Sequence, residues 1–395
     1  MPALTTFVAT LALLSVTANS TPVDHTAAVQ KRGFSLTQVE RGYFVKSGPA
    51  QIAKTFRKFG KAVPARVLAA LEAVENGTAP AVPADENDAF YLAPVTMGGT
   101  EVQLNVDTGS ADLQLAGHEY YKATVSASKQ LADSTFRINY GDGSGAGGKV
   151  YVDKVVMGGV TATSQAIGAA TSVSTAFQRD QQTDGMLGLA FSELNKISPE
   201  PQKTWFDNVK AALPAPLFAV ALKYHAPGTY DFGFIDKAKY TGDITYVDAD
   251  SRRGYWGFNA SSYKVGTGAD KPGTIKAIGD TGSTLLYLPA VIVQDFYSQI
   301  EGSTDSATEG GYIFPCDAMV PDLSITVGGI PQIVPGEHII WAPVDEAKTM
   351  CFGGVQDGTG IASFSIFGDI FLKSKYVVHE LSETPRLGFA QQAGV

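Results

Sequence analysis

The chain has 395 residues, 44% of them hydrophobic, and its 30 Lys and Arg stand against 39 Asp and Glu for a formal charge of -9. That length suits about two to three domains, and the hydrophobic share supports packed cores and excludes a disordered or fibrous protein. The acidic balance excludes a binder of nucleic acid, which needs a basic surface to meet phosphate.

In chain order, Leu4 to Val16 form a mostly apolar run too short to span a bilayer, followed by the small-residue pattern Val16-Thr17-Ala18. The run reads as a signal peptide over residues 1–18, which makes the protein secreted and extracellular. No second apolar run near the C-terminus offers a membrane anchor. Between residues 31 and 66 the composition turns basic: Lys31, Arg32, Arg41, Lys46, Lys54, Arg57, Lys58, Lys61 and Arg66 face a single acid, Glu40. Such a segment is attracted to the acidic remainder at neutral pH and leaves it as carboxylates protonate. Residues 19–76 form this removable piece, and Lys54 or Lys61 is expected to reach the functional centre. Asn76-Gly77-Thr78 at its end, and Asn259-Ala260-Ser261 further on, are N-glycosylation acceptor sequences.

After a linker rich in Ala and Pro (78–85), short β-branched and aromatic runs broken by Gly, Asn, Asp and Pro predict a mainly β protein. Strands are expected over 101–106, 149–157, 217–222, 274–278 and 376–379, and helices over 64–74, 201–212 and 290–299. An internal repeat organises these elements. Leu104-Asn105-Val106-Asp107-Thr108-Gly109-Ser110 recurs as Ala277-Ile278-Gly279-Asp280-Thr281-Gly282-Ser283, and each copy has a delayed apolar companion, Met186-Leu187-Gly188 and Ile366-Phe367-Gly368. Two similar β lobes, residues 77–250 and 251–395, each contributing one Asp, is the economical reading.

One Asp-Thr-Gly is a common turn, whereas two in matching contexts carry chemistry. If Asp107 and Asp280 lie within about 3 Å, like-charge repulsion makes them share one proton. One is then a base that takes a proton from water attacking a carbonyl, and the other is an acid to the carbonyl oxygen. No metal, cofactor or covalent intermediate is required. Gly109 and Gly282 let backbone N–H groups approach the carboxylates. Thr108 and Thr281 are placed to tie the lobes together, and Ser110 and Ser283 to hydrogen-bond the outer oxygens.

Four stretches carry a family resemblance: Val106-Asp107-Thr108-Gly109-Ser110-Ala111-Asp112-Leu113, Ile138-Asn139-Tyr140-Gly141-Asp142-Gly143-Ser144, Asp184-Gly185-Met186-Leu187-Gly188-Leu189-Ala190 and Ile366-Phe367-Gly368-Asp369-Ile370-Phe371-Leu372. The chain resembles the pepsin-type aspartic endopeptidases, and most the fungal penicillopepsin and aspergillopepsin group. The resemblance implies a bilobal β fold of two pseudo-symmetric barrel-like lobes with a cleft between them. It implies a monomeric zymogen whose basic piece is an inhibitory propeptide, acid-pH hydrolysis of internal peptide bonds in proteins or peptides, and inhibition by pepstatin-like compounds. It implies a flap at Tyr140, Gly141, Asp142 and Gly143, with Asp142 admitting a Lys beside the cut bond and Met186 lining the same apolar pocket. The two cysteines, Cys316 and Cys351, which by number alone read as one disulfide in a secreted chain or two thiols in a cytosolic one, match the position of the fungal disulfide. The chain departs from the pattern at Gln114, where the family has a Trp that hydrogen-bonds the flap tyrosine, and at His379-Glu380, where Phe-Asp is usual.

Other chemistries are poorly supported. Gly143-Ser144-Gly145-Ala146-Gly147-Gly148-Lys149 matches a phosphate loop as far as its Lys, but Val150 replaces the hydroxyl and a strand is expected to follow. His25, His118, His225, His338 and His379 lack metal-ligand spacing, and there is no Gly-x-Ser-x-Gly elbow. The remaining rival is a pepsin-fold protein that only binds peptides or glycans.

Overall fold

The computed structural model describes residues 32–38, 45–75, 82–83, 92–115, 128–139, 145–173 and 183–395. The signal run, the sequon at Asn76 and the flap residues Tyr140 to Gly143 lie outside the described residues.

Three large sheets carry the fold. The first repeat sits in an eight-stranded sheet, where Thr100–Asp107 pairs with Leu92–Met97 on one side. On its other side it runs parallel to Gly185–Gly188, which in turn pairs antiparallel with Leu113–Leu115. The companion strand is thus inserted between the two arms of the turn that holds Asp107. The second repeat does the same in a seven-stranded sheet: Ser365–Phe367 lies parallel to Lys271–Gly279 and antiparallel to Leu286–Leu288. The crowding at these insertions explains the glycines. A Cβ on Gly188 would strike Ser110 O and Ala111, and one on Gly368 would strike Ser283 O and Leu285 O.

The third sheet has six strands and draws on both halves of the chain, with Leu217–Lys223 beside Lys375–Glu380 at its centre. One of its two edge strands is Phe34–Thr37, which pairs with Ala226–Phe232 and stacks Phe34 on Phe232 at 5.0 Å between centroids. The aromatic side chains Trp205, Phe218, Phe232 and Trp256 are each at most 2% exposed and form the core beneath it.

The strands expected at 101–106, 149–157, 217–222, 274–278 and 376–379 form as Thr100–Asp107, Gly145–Met157, Leu217–Lys223, Lys271–Gly279 and Lys375–Glu380. From Gly145 onward the phosphate-loop match is therefore the start of a strand. Besides the four-residue helices Gly336–Ile339 and Asp369–Leu372, one long helix had no counterpart in the sequence reading: α1, Gly48–Lys58. Its Gly and Pro disguise it, yet both sit in the first turn, where Pro lacks no needed donor. Ser47 caps the helix by accepting Ala50 N at 3.3 Å, and Gly60, at φ +67°, ends it by donating to Arg57 O. Ile52, Ala53 and Phe56 bury the apolar face of α1 in the main core. A second helix, α2, spans Ala65–Glu75.

Candidate active site

The two Asp-Thr-Gly turns meet head to head. Thr108 Oγ1 donates to Gly279 O at 2.9 Å and accepts Thr281 N at 3.1 Å; reciprocally, Thr281 Oγ1 donates to Val106 O at 2.6 Å and accepts Thr108 N at 3.0 Å. Four buried bonds satisfy both hydroxyls and both amides, so the threonines join the halves as their spacing suggests. Tyr230, fully buried, adds a fifth by donating to Val106 O at 3.1 Å.

This brace holds Asp107 and Asp280 side by side, each 0% exposed. Gly109 N donates to Asp107 Oδ1 at 2.8 Å and Gly282 N to Asp280 Oδ1 at 3.0 Å. The glycines are needed for more than these amides: a Cβ on Gly109 would fall on the Asp280 carboxylate, and one on Gly282 on that of Asp107. The outer oxygens are treated differently. Ser283 donates to Asp280 Oδ2 at 2.7 Å, whereas the Ser110 hydroxyl meets Met186 Sδ at 3.1 Å and Asp107 Oδ2 has no hydrogen-bond partner among the described residues.

The group between the carboxylates is Lys58, the last residue of α1. Its Nζ lies 2.7 Å from both Asp107 Oδ1 and Asp280 Oδ1. This corrects the expectation of Lys54 or Lys61. With its apolar face in the core, α1 presents Gln51, Thr55 and Lys58 at i, i+4 and i+7 along one stripe. Thr55 Oγ1 meets Tyr287 OH at 3.1 Å and Gln51 Oε1 meets Thr284 Oγ1 at 3.1 Å, which sets the register that delivers Lys58. Lys54 lies a turn earlier, about 6 Å back along the axis, and Lys61 lies exposed beyond the bend at Gly60. The signal available in the sequence was that stripe, hidden because the helix itself was not recognised. Next to Lys58, Phe59 packs against Tyr255 and Phe364, ring centroids 6.0 and 5.9 Å away, two aromatics that pattern reading also missed.

Charge and burial compete at this point. Burial raises the Asp107 carboxyl, but the Lys58 cation and the side-chain hydrogen bonds around it together more than offset this and Asp107 ends below the usual range; for Asp280 burial, joined by repulsion from Asp107, prevails and the group ends above it. Burial lowers the Lys58 ammonium, and the two carboxylates overcome this to hold it well above an ordinary lysine. Such a pair titrates as a unit.

Met186 stands beside the site through its contact with Ser110. Gln114, in the strand Leu113–Leu115, is 3% exposed. Cys316 and Cys351 form a disulfide, S–S 2.03 Å. Asn259 is exposed on the strand Gly257–Val265. Two aspartates on paired, braced turns, each beside an inserted companion strand, define the pepsin-like aspartic protease fold.

A family model for eukaryotic aspartyl proteases matches residues 90–392. Aspartic protease pepA of Leptosphaeria maculans is 54% identical, over 97% of this chain and 99% of its own length. Penicillopepsin-1 of Penicillium rubens is 49% identical, over 92% and 93%, and aspergillopepsin-1 of Aspergillus fumigatus 49%, over 95% and 96%. Among solved structures, the aspartic proteinase of Irpex lacteus superposes with a TM-score of 0.66 at 26% identity, covering 77% of this chain and 94% of that one. The chain belongs to the eukaryotic aspartyl protease family and is an aspartic endopeptidase.

Proposed function

We propose that Asp107 and Asp280 are the catalytic pair of a secreted endopeptidase made as a zymogen and active at acidic pH. The observation that carries this reading is the single lysine nitrogen 2.7 Å from both inner carboxylate oxygens, because a point so shared by the two groups is where an attacking water would be held. Once Lys58 leaves, the carboxylates lose their counter-ion and like-charge repulsion leaves one proton between them. The ionised member takes a proton from water as the oxygen attacks the scissile carbonyl. The protonated member donates to the carbonyl oxygen, giving a tetrahedral gem-diol. Collapse of that species transfers a proton to the amine and breaks the C–N bond, and the braced Thr108–Thr281 turns keep both carboxylates fixed throughout.

In this reading residues 1–18 are the signal peptide and 19–76 the propeptide. The family model begins only at residue 90, which supports a separate role for what precedes it. The lobes span 77–250 and 251–395. Tyr140, Gly141, Asp142 and Gly143 form the flap over substrates, Met186 lines the pocket beside the cut bond, and Asn76 and Asn259 accept glycans. The enzyme acts as a monomer, without cofactor, on extended proteins or peptides and binds pepstatin-like inhibitors. The test is hydrolysis of a denatured protein by acidified precursor, with pepstatin and with Asp107→Asn as controls. Pepstatin-sensitive activity absent from the variant is expected; folded, processed protein without activity on varied peptides refutes the assignment.

A further inference from the structure

The wall of the site next to Met186 contains a polar group that the chemistry above does not use. In the strand Leu113–Leu115 the two leucines point into the main core, so the residue between them points to the opposite face. Register shows what shares that face. Gln114 stands opposite Met186 on one side and beside Gly168 on the other, while Met186 pairs with Asn105 and Gly188 with Asp107. Asp107, Asn105, Met186 and Gln114 are therefore side chains of one surface, the one that presents Asp107 to substrate. Across part of it Ser110 Oγ meets Met186 Sδ at 3.1 Å, and Met186 stands opposite Gln114 in the strand register.

Gln114 is buried, and its Oε1 has no hydrogen-bond partner among the described residues. On its far side Gly168 has no side chain, and the ring of Phe136 fills that space, 2.8 Å from where a Cβ would be. Phe136 belongs to a small apolar cluster with Ala146, Val150, Ala166 and Ile197. An orphaned amide oxygen in such surroundings costs about 1–3 kcal/mol, and an apolar side chain of the same shape would avoid that cost. The stranded acceptor is complementary to a hydrogen-bond donor.

We propose that Gln114 is a specificity-determining residue: its Oε1 accepts a hydrogen bond from the substrate side chain on the N-terminal side of the cut bond, so the pocket beside Met186 favours amide, hydroxyl or ammonium side chains over apolar ones of equal size. The inference rests on Asp107 and Asp280 being the catalytic pair. A pocket that must leave a buried acceptor unpaired discriminates against a ligand lacking the donor, more sharply than an apolar pocket rejects an extra polar atom.

The experiment uses the acidified full-length protein and two peptides that differ only in Gln or Met at that position, a nearly isosteric pair. Each is made once with a normal scissile bond and once with a reduced, uncleavable one. The quantity read is the Gln-to-Met preference, as kcat/KM for the first pair and as Kd for the second. Gln114→Leu is expected to lower it about fivefold or more in both, as for the loss of one hydrogen bond, with Gln114→Met as the second variant should the first not fold. Equal preferences in wild type and variant overturn the inference and leave the catalytic reading intact. Peptides that bind but are not cut sink the catalytic reading, while the Kd ratio still decides the role of Gln114. If neither peptide binds, both fall.

Discussion

Replacing Lys58 by Met keeps the length and apolar stem of the side chain and removes only the charge. The apolar anchors of α1, Ile52, Ala53 and Phe56, are untouched, so the segment still folds onto its face. At neutral pH the variant leaves two carboxylates buried with Gly109 N, Gly282 N and Ser283 Oγ as their donors among the described residues. Breaking a buried ion pair from one side costs about 3–5 kcal/mol, which lowers the docking equilibrium by roughly two to three orders of magnitude or more. The sign of the pH dependence follows from the same geometry. Relative to the same pocket without it, the Lys58 cation lowers both carboxylates, so the docked segment prefers a deprotonated dyad and its release takes up protons. Falling pH thus favours release in the wild type, and Lys58→Met shifts unmasking to higher pH and flattens its profile. The assay is rapid mixing of full-length protein with a fluorescent pepstatin-type probe between pH 7 and 3, read before the chain is cut. Unchanged midpoint and steepness in Lys58→Met, or an equal shift in Lys54→Met or Lys61→Met, would refute the reasoning.

His379 stacks on Phe218 at 4.4 Å and meets Trp256 edge-on at 5.1 Å, and burial lowers its pKa to about 3. As pH falls from about 6.5 toward 3, the unfolded chain gains a proton that the folded one refuses, costing about 1.4 kcal/mol per pH unit. His379→Phe should lessen the difference in urea stability between pH 7 and pH 4; an unaltered difference would show that this ring is not the source. Thr281→Val removes the acceptor of Thr108 N and a donor to Val106 O, for an expected loss of about 1–3 kcal/mol in denaturant stability, while Thr281→Ser should retain most of it. Cys351→Ser opens a loop with a sequence separation of 35 and should cost about 3–4 kcal/mol on the chain-entropy model, read as a lower denaturation midpoint. Asp142→Ser should selectively weaken cleavage after Lys, and equal loss on all peptides would exclude that role for Asp142.

The residues of the dyad were legible because the constraints on them are local. Each Asp needs a glycine two residues on, whose amide reaches the carboxylate and whose missing Cβ leaves room for the partner Asp, and a threonine between them for the brace. Those needs recur in both halves and print the same few letters twice. The long strands were legible for a similar reason, since β-branched runs bounded by turn residues answer to near neighbours.

Which lysine stands between the two aspartates was decided by the tertiary structure. Nine basic residues were available in one segment, and the choice among them depended on a short helix whose Gly and Pro masked its period and whose roll is set by apolar packing against residues far along the chain. Lys58 is 49 positions from one aspartate and 222 from the other. Gln114 illustrates the same limit, because its type can be read in the sequence but its meaning requires strand register. By alternation and composition the sequence determined that the chain forms β sheets and carries two matched aspartates. Which distant side chain enters their shared space depends on how separately formed surfaces dock, a free energy summed over contacts that no local stretch of sequence contains.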